Sequence, residues 1–206
     1  MDIAAPLNTA LRKVPAWTLY IVGAAYAAWL FYLGLTGGLG VEPIKALEHA
    51  YGLVGLQLMI AGLAITPLRK YAGLNLLKFR RAIGLLTFFF ILAHLLVWLV
   101  LDVQVLSEIW RDIVKRTYIT VGMAGFVLML PLAITSNNMS LRKMGAASWR
   151  KLHKLTYVAA LLGALHFLWL VKGLQMEPIL YTAAIVVLLV LRVTPKLAQR
   201  TAARTA

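Results

Sequence analysis

The sequence lacks two things that bound its chemistry: cysteine and a normal share of acidic residues. None of its 206 residues is cysteine. This excludes disulfides, iron–sulfur clusters, thiolate metal sites and covalent attachment of a c-type haem through Cys-x-x-Cys-His. Only seven Asp and Glu residues stand against 21 Lys and Arg residues, for a net charge of +14. The basic residues lie in short stretches between apolar runs, so membrane topology explains them better than nucleic-acid binding does.

Apolar residues are correspondingly abundant. They make up 62% of the chain, whereas a soluble domain is roughly half apolar. Residues 14–41 contain no charged residue, and this run is far longer than the apolar part of a signal peptide, so it is interpreted as a retained first span. About 20 apolar residues cross a bilayer as a helix. The sequence therefore predicts an all-α membrane bundle of about six transmembrane helices in one domain, 1–206, with spans at 17–35, 50–68, 82–101, 117–137, 155–171 and 178–191. The sixth span is short, so the flanking Lys172 and Arg192 are expected to extend towards the interfaces.

The distribution of charge predicts the orientation. With six spans, both termini lie on the same side of the membrane. That side would hold sixteen of the 21 Lys and Arg residues, and the other side six of the seven acids. Lys and Arg are enriched in cytoplasmic loops, so both termini are predicted to be cytoplasmic.

Two of the four histidines lie within predicted spans. His94 lies thirteen residues after Arg81 in the third span, and His166 lies thirteen residues after His153 in the fifth. Both spans run away from the cytoplasm, so at 1.5 Å per residue both imidazoles lie about 20 Å inward. Two imidazoles at one depth are suited to ligate a haem iron between helices. The alternative is that each histidine only hydrogen-bonds a neighbouring helix.

The other two histidines lie near the ends of spans. His153, at the cytoplasmic mouth of the fifth span, is a candidate ligand of a second haem, a contact to a flavin or quinone, or simply a residue that faces lipid headgroups. The third span offers Arg80 and Arg81 at that depth instead of a histidine. Arginine stays protonated and is a poor iron ligand, but it binds haem propionates or a flavin phosphate well. His49 is interpreted as a surface histidine on the opposite side.

Several stretches together resemble a known family, the MsrQ (formerly YedZ) haem-binding membrane subunits of the periplasmic methionine sulfoxide reductase system. More distantly, the chain is similar to the transmembrane core of ferric reductases and NADPH oxidases. The resemblance extends to about Arg192. It rests on Gly-Gly-Leu-Gly-Val-Glu-Pro-Ile-Lys-Ala-Leu-Glu-His at 37–49, Ile-Thr-Pro-Leu-Arg at 65–69, Arg-Arg-Ala-Ile-Gly-Leu-Leu at 80–86 followed by His94, Thr135-Ser136, Trp149-x-x-Leu-His153-x-x-x-Tyr157 and His166-Phe-Leu-Trp169.

The resemblance implies a set of cofactors, partners and a location. It implies that His94, His153 and His166 are haem-associated, that the haem is b-type, and that FMN is also required. It further implies the bacterial inner membrane, a periplasmic molybdopterin-containing methionine sulfoxide reductase subunit as electron acceptor, and a cytoplasmic flavin reductase or the quinone pool as donor. The chain departs from the NADPH oxidase pattern of two histidines on each of two helices, because Arg80 replaces one of them. We also expect no soluble flavin and nicotinamide domain, and therefore an external electron donor.

Two functions are consistent with histidines inside a membrane bundle. The first is an electron-transfer subunit of an oxidoreductase system that is not itself the catalytic subunit. The second is a small histidine-dependent transporter or proton-coupled permease, in which the histidines relay protons. Transporters often show internal repeats or broken helices, and neither is visible in the sequence, which favours the first.

Overall fold

The computed structural model describes the backbone of residues 4–171 and 173–205 and the side chains of residues 4–171 and 173–192. Within these residues the chain is almost entirely helical and has no strand, which confirms the predicted all-α class. The helices are α1 (Ala4–Lys13), α2 (Thr18–Leu35), α3 (Pro43–Tyr71), α4 (Arg80–Leu96), α5 (Leu106–Lys115), α6 (Thr117–Ile134), α7 (Asn138–Leu152), α8 (Leu155–Leu170) and α9 (Met176–Thr205). A 3₁₀ turn at Leu77–Phe79 precedes α4, and a π-helix at Val97–Val103 continues it.

The helices agree with a bundle of about six spans. Four described segments are long and apolar enough to cross a membrane: Thr18–Leu35, Pro43–Tyr71, Leu77–Val103 and Thr117–Ile134. Helices α7 and α8 are bent by 42° at a short break and would form a fifth span if taken together. Helix α9 contains the predicted sixth span, 178–191.

The helix ends differ from the predicted span limits for local reasons. Helix α3 starts at Pro43, seven residues before the predicted span, because proline suits the first turn of a helix and lacks only an N–H that would be unpaired there. Helix α6 ends at Ile134 rather than 137. Asn137 adopts an extended conformation and caps α7 by accepting a hydrogen bond from the Ser140 amide. Helices α1, α5 and α7 lie outside the predicted spans, in stretches that have no long apolar run.

The main core forms where α3, α6, α8 and α9 meet. Its buried residues are Leu56, Met59, Leu63, Met129, Ala159, Ala160, Ala164, Phe167 and Ile185. Three of these are alanines on α8, and small side chains allow membrane helices to approach closely. Helix α3 packs most extensively on α4, and α6 packs most extensively on α8. These two helix pairs enclose the cavities described below.

Arg192 does not extend towards the interface as expected. Its side chain turns inward, donating from Nε and Nη2 to the Leu63 carbonyl at 3.0 and 2.5 Å, and it lies over the Tyr157 ring. The Leu63 carbonyl would normally accept from the amide four residues later, but that residue is Pro67, which lies inside α3 and has no N–H. Arg192 therefore supplies the missing donor. Lys172 lies outside the described residues.

Candidate cofactor site

Two cavities lie between the helix pairs, and the first surrounds His94 and His166. Its volume is about 340 Å³, within the range of small-molecule and cofactor sites. Helices α3, α4, α6 and α8 all contribute to its lining, which is largely apolar and contains four glycines: Gly52, Gly122, Gly125 and Gly163. We refer to it as the dihistidine cavity.

The two imidazoles face each other within this cavity. Their ring centroids lie 6.2 Å apart, and the ring planes are nearly perpendicular. His94 Nδ1 lies 2.8 Å from the Glu48 carbonyl oxygen, and His166 Nδ1 lies 2.7 Å from the Tyr118 carbonyl oxygen. A carbonyl can only accept, so Nδ1 carries the proton in both rings. In the neutral imidazole the Nε2 lone pair is then free to bind a metal.

Glycine makes both of these hydrogen bonds sterically feasible. A Cβ added at Gly52 would lie 3.0 Å from His94 Nδ1, and a Cβ added at Gly122 would lie 2.6 Å from His166 Nδ1. In each case the glycine lies one turn after the residue whose carbonyl accepts the bond. The imidazole can therefore lie directly against the backbone of the neighbouring helix.

The two halves of the site repeat the same arrangement. In the first half α3 supplies the carbonyl and the glycine, and α4 supplies His94. In the second half α6 supplies the carbonyl and the glycine, and α8 supplies His166. The sequence showed no internal repeat, yet the structure relates the helix pairs α3–α4 and α6–α8 by matching contacts.

The residues present fit a bis-histidine haem. Imidazole nitrogen binds metals at about 2.0 Å, so two axial imidazoles on one iron have ring centroids roughly 6 Å apart. The observed separation of 6.2 Å agrees with that requirement. Among the described residues no group of three or more His, Cys, Asp and Glu is placed to hold a bare metal ion. A porphyrin supplies four of the iron ligands itself, so two protein ligands are enough.

His49 is exposed, as predicted for a surface residue, and it also belongs to this cavity. It contributes to the lining, and its ring lies 5.9 Å from that of Phe167 on α8. Its place on α3 offered a signal, because His49 precedes Gly52 by three residues and so shares a face of the helix with it.

The second cavity has a volume of about 380 Å³ and a basic lining. Four cationic side chains contribute to it: Lys78, Arg80, Arg81 and Arg192. Trp149, in the last turn of α7, and His153, directly after that helix, also line it. We refer to it as the arginine cavity. Arg80, Arg81 and His153 thus share one cavity, whereas Arg192 was not expected there.

His153 is held in a network of its own. Its ring stacks on Trp149 with centroids 3.7 Å apart, and its Nε2 lies 3.1 Å from the Thr135 hydroxyl oxygen. That hydroxyl donates its proton to the Pro131 carbonyl at 2.6 Å, so it accepts from His153. His153 Nε2 therefore carries a proton and is not free for iron in this arrangement, unlike Nε2 of His94 or His166.

The two cavities are close neighbours. Met59, Met129 and Ala159 contribute to the lining of both. The two cavities therefore adjoin each other at these three side chains, none of which is charged.

Comparison with known proteins identifies the family of the chain. Residues 49–164 match the family described as ferric reductase like transmembrane component, a segment that includes His49, His94 and His153. A protein-methionine-sulfoxide reductase heme-binding subunit MsrQ from Agrobacterium fabrum is 46% identical over 181 residues, which cover 86% of this chain and 84% of the relative. The chain belongs to the MsrQ family. MsrQ proteins of the same description from Brucella ovis and Brucella suis are 45% identical over 197 residues, covering 92% of this chain and 89% of each relative.

Proposed function

We propose that this chain holds a b-type haem between His94 and His166 and passes electrons across the bacterial inner membrane to a periplasmic methionine sulfoxide reductase subunit. On this proposal the chain supports the repair of oxidised periplasmic proteins without being the catalytic subunit. When bound, the haem supplies reversible one-electron chemistry at iron. The chain itself holds and orients the ligands, excludes competing ones and sets the environment of the iron.

One observation carries the proposal: two backbone carbonyls fix both imidazoles in the same tautomer. Hydrogen bonds to the Glu48 and Tyr118 carbonyls place each proton on Nδ1. A metal-bound histidine normally donates its other ring N–H in this way, which orients the ring and raises its basicity. His94 and His166 would both hold the haem iron and leave it no free position, which would suit electron transfer rather than the binding of oxygen or a substrate.

The orientation of the chain supports transfer towards the periplasm. The dihistidine cavity lies near the ends of the spans where Glu48, Asp102 and Asp112 are found, and the arginine cavity lies at the basic end. Basic loops favour the cytoplasmic side, so the histidine pair would lie on the periplasmic side. The names of the MsrQ relatives support a methionine sulfoxide reductase as the acceptor. The proposed acceptor is the molybdopterin-containing subunit.

The arginine cavity suits an electron-accepting cofactor on the cytoplasmic side. Its four cationic side chains can bind the phosphate of FMN, and the stacked Trp149 and His153 provide a flat surface against a ring. A quinone would use the same surface without the phosphate contact. Because the two cavities adjoin each other, either cofactor would relay electrons from a flavin reductase or the quinone pool to the histidine pair. A second haem ligated by His153 is disfavoured by its hydrogen bond to Thr135.

The transporter hypothesis remains the alternative, and the structure removes one sequence argument against it. Helices α7 and α8 form a bent pair, and the two halves of the dihistidine cavity repeat one arrangement. Broken helices and internal repeats are features of transporters. Absorbance decides between the two functions, because a transporter with a histidine relay would have no Soret band.

The test is a set of four histidine variants, His49→Ala, His94→Ala, His153→Ala and His166→Ala, purified in nanodiscs. The haem-to-protein ratio from the pyridine haemochrome, low-spin electron paramagnetic resonance and flavin release on denaturation are measured for each. We expect His94→Ala and His166→Ala to lose the low-spin haem. His49→Ala, which lines the same cavity without a ligand hydrogen bond, is the matched control and should keep it. His153→Ala should keep the haem and lose flavin.

Two results would contradict the proposal in different ways. Full low-spin haem in either His94→Ala or His166→Ala would show that the ligand pair is wrongly assigned. Two bis-histidine signals in the wild type, one of them lost in His153→Ala, would show that the arginine cavity holds a haem instead of a flavin or quinone.

A further inference from the structure

We propose that Lys45 and Arg116 bind the two propionates of the haem at the open end of the dihistidine cavity. The inference rests on the proposed haem but concerns a different part of it, the charged edge of the porphyrin rather than the iron. It assigns these two side chains a role that neither apolar periodicity nor histidine spacing indicates.

Lys45 lies at the end of the cavity on the α3 side. It is in the first turn of α3, three residues before Glu48, and it contributes to the cavity lining. Its Nζ lies 2.5 Å from Asp102 Oδ2, at the end of the π-helix that continues α4. The Lys45 side chain is 58% exposed. It is therefore held at the mouth by an acid on the neighbouring helix, with donors left for a further anion.

Arg116 occupies the corresponding place on the α6 side. It directly precedes α6, lies two residues before Tyr118 and contributes to the cavity lining. Its Nε lies 3.3 Å from Asp112 Oδ1, and its Nη1 donates to the Tyr118 hydroxyl at 3.3 Å. The guanidinium has five N–H donors, so these two contacts leave donors for a carboxylate.

The two cations follow the repeated arrangement of the ligands. Each lies two or three residues before the residue whose carbonyl accepts a hydrogen bond from one of the two imidazoles: Lys45 before Glu48, and Arg116 before Tyr118. At 1.5 Å per residue, each is about 3 to 5 Å nearer the end of the helix than that carbonyl. A porphyrin between His94 and His166 would therefore have one cation on each side of the same edge.

The chemistry of this edge matches the propionates of iron protoporphyrin IX. The two propionates lie side by side on one edge of the ring and are anionic at neutral pH, whereas the remaining edge is apolar. The dihistidine cavity has the same division, with cations at one end and apolar side chains elsewhere. Glu48 also lines this cavity, but a carboxylate would repel a propionate, so it cannot be the group that binds one.

The arginines of the second cavity are the competing anchor. Arg80 and Arg192 are cationic too, but Met59, Met129 and Ala159 lie between their cavity and the histidine pair. The propionates would have to cross this apolar layer to reach them. Lys45 and Arg116 line the dihistidine cavity itself, which is why we assign the propionates to them.

The experiment compares two porphyrins in the full-length protein in nanodiscs. Wild type, Lys45→Met, Arg116→Met and the double variant are loaded with iron protoporphyrin IX or with its dimethyl ester, which has no propionate charge. The rate of porphyrin transfer to excess apomyoglobin is measured from the Soret change. We expect each single variant to release haem about fivefold faster, the size of effect that a partly exposed charge pair has. The wild type should release the ester faster than haem, and the double variant should release both at the same rate.

Three controls separate charge recognition from a general disturbance. Arg111→Met removes a cation from the same side of the protein without touching the cavity, and it should leave both rates unchanged. The conservative variants Lys45→Arg and Arg116→Lys should restore discrimination between the two porphyrins. The low-spin spectrum should persist in every variant, because no iron ligand is changed.

The outcomes distinguish this proposal from the one on which it rests. A wild type that holds no haem would overturn both. The propionate assignment alone would be overturned by a different result. In that case the wild type holds low-spin haem, but the double variant still releases the ester faster than haem, by the same ratio as the wild type. If instead Arg80→Met releases haem and the ester at the same rate, the propionates lie at the arginine cavity. That result would also overturn the assignment to Lys45 and Arg116.

Discussion

Replacing Gly122 with alanine tests the geometry of the histidine pair most directly. The new Cβ would lie 2.6 Å from His166 Nδ1 and 2.9 Å from Cε1 of the same ring. Ordinary contact with a Cβ begins near 3.4 Å, so the ring must move away from α6 by roughly 0.8 Å. That shift would stretch the hydrogen bond between His166 Nδ1 and the Tyr118 carbonyl to about the limit for a hydrogen bond.

Loss of that bond should weaken haem binding strongly. Removing the partner that orients a metal-bound histidine typically costs about ten- to a hundred-fold in metal affinity, and we expect a loss of that size for Gly122→Ala. At Gly52 the Cβ would lie 3.0 Å from His94 Nδ1, so a smaller shift suffices and the loss should be less than about tenfold. The measurements are haem affinity by titration and the fraction of low-spin iron.

The matched control is Gly34→Ala on α2. A Cβ there would meet only Leu39 and Leu47, at 3.6 and 3.7 Å, and alanine is a better helix former than glycine by about 1 kcal/mol. Gly34→Ala should therefore keep full haem affinity. Wild-type affinity and an unchanged low-spin spectrum in Gly122→Ala would refute the close packing of imidazole on glycine as the basis of the site.

Two further predictions concern the fold and the orientation. Arg192→Met should lower the free energy of unfolding by about 1–3 kcal/mol, because it leaves the Leu63 carbonyl without a donor. Thermal unfolding in detergent measures this loss of stability. The loss caused by Arg192→Met should be smaller in a Pro67→Ala protein, in which α3 regains an amide that can bond to the Leu63 carbonyl. An equal loss with proline and with alanine at position 67 would contradict this role of Arg192. A reporter that is active only in the periplasm, fused after Ala206, should stay inactive because the basic loops predict a cytoplasmic C-terminus. Activity of the fusion would invert the predicted topology.

Much of the architecture could be predicted because the membrane limits the choices. Within a bilayer, backbone polar groups must be paired inside the chain, so long apolar runs can only be helices or closed barrels. The run at 14–41 and the spans around His94 and His166 followed from this. The matched depth of the two histidines also followed, because a helix has a constant rise and both spans begin at recognisable charged residues.

Tertiary structure decided the details on which the proposed chemistry depends. Sequence could place His94 and His166 at one depth, but not show which nitrogen each imidazole presents, because the carbonyls of Glu48 and Tyr118 come from other helices. Nothing in the sequence distinguished Gly52, which packs on His94, from the other glycines of the predicted spans.

Side chains at the ends of spans were the least predictable. Arg192 was expected to extend towards the interface, but the proline at position 67 leaves a carbonyl unpaired on α3, and that carbonyl binds the guanidinium. His49 is exposed, as predicted, but the sequence did not show that it also lines the dihistidine cavity. Hydropathy by itself therefore predicted the membrane-spanning segments. The contacts of each polar side chain depend instead on hydrogen-bonding groups that are distant in sequence, and only the packing of the helices brings those groups together.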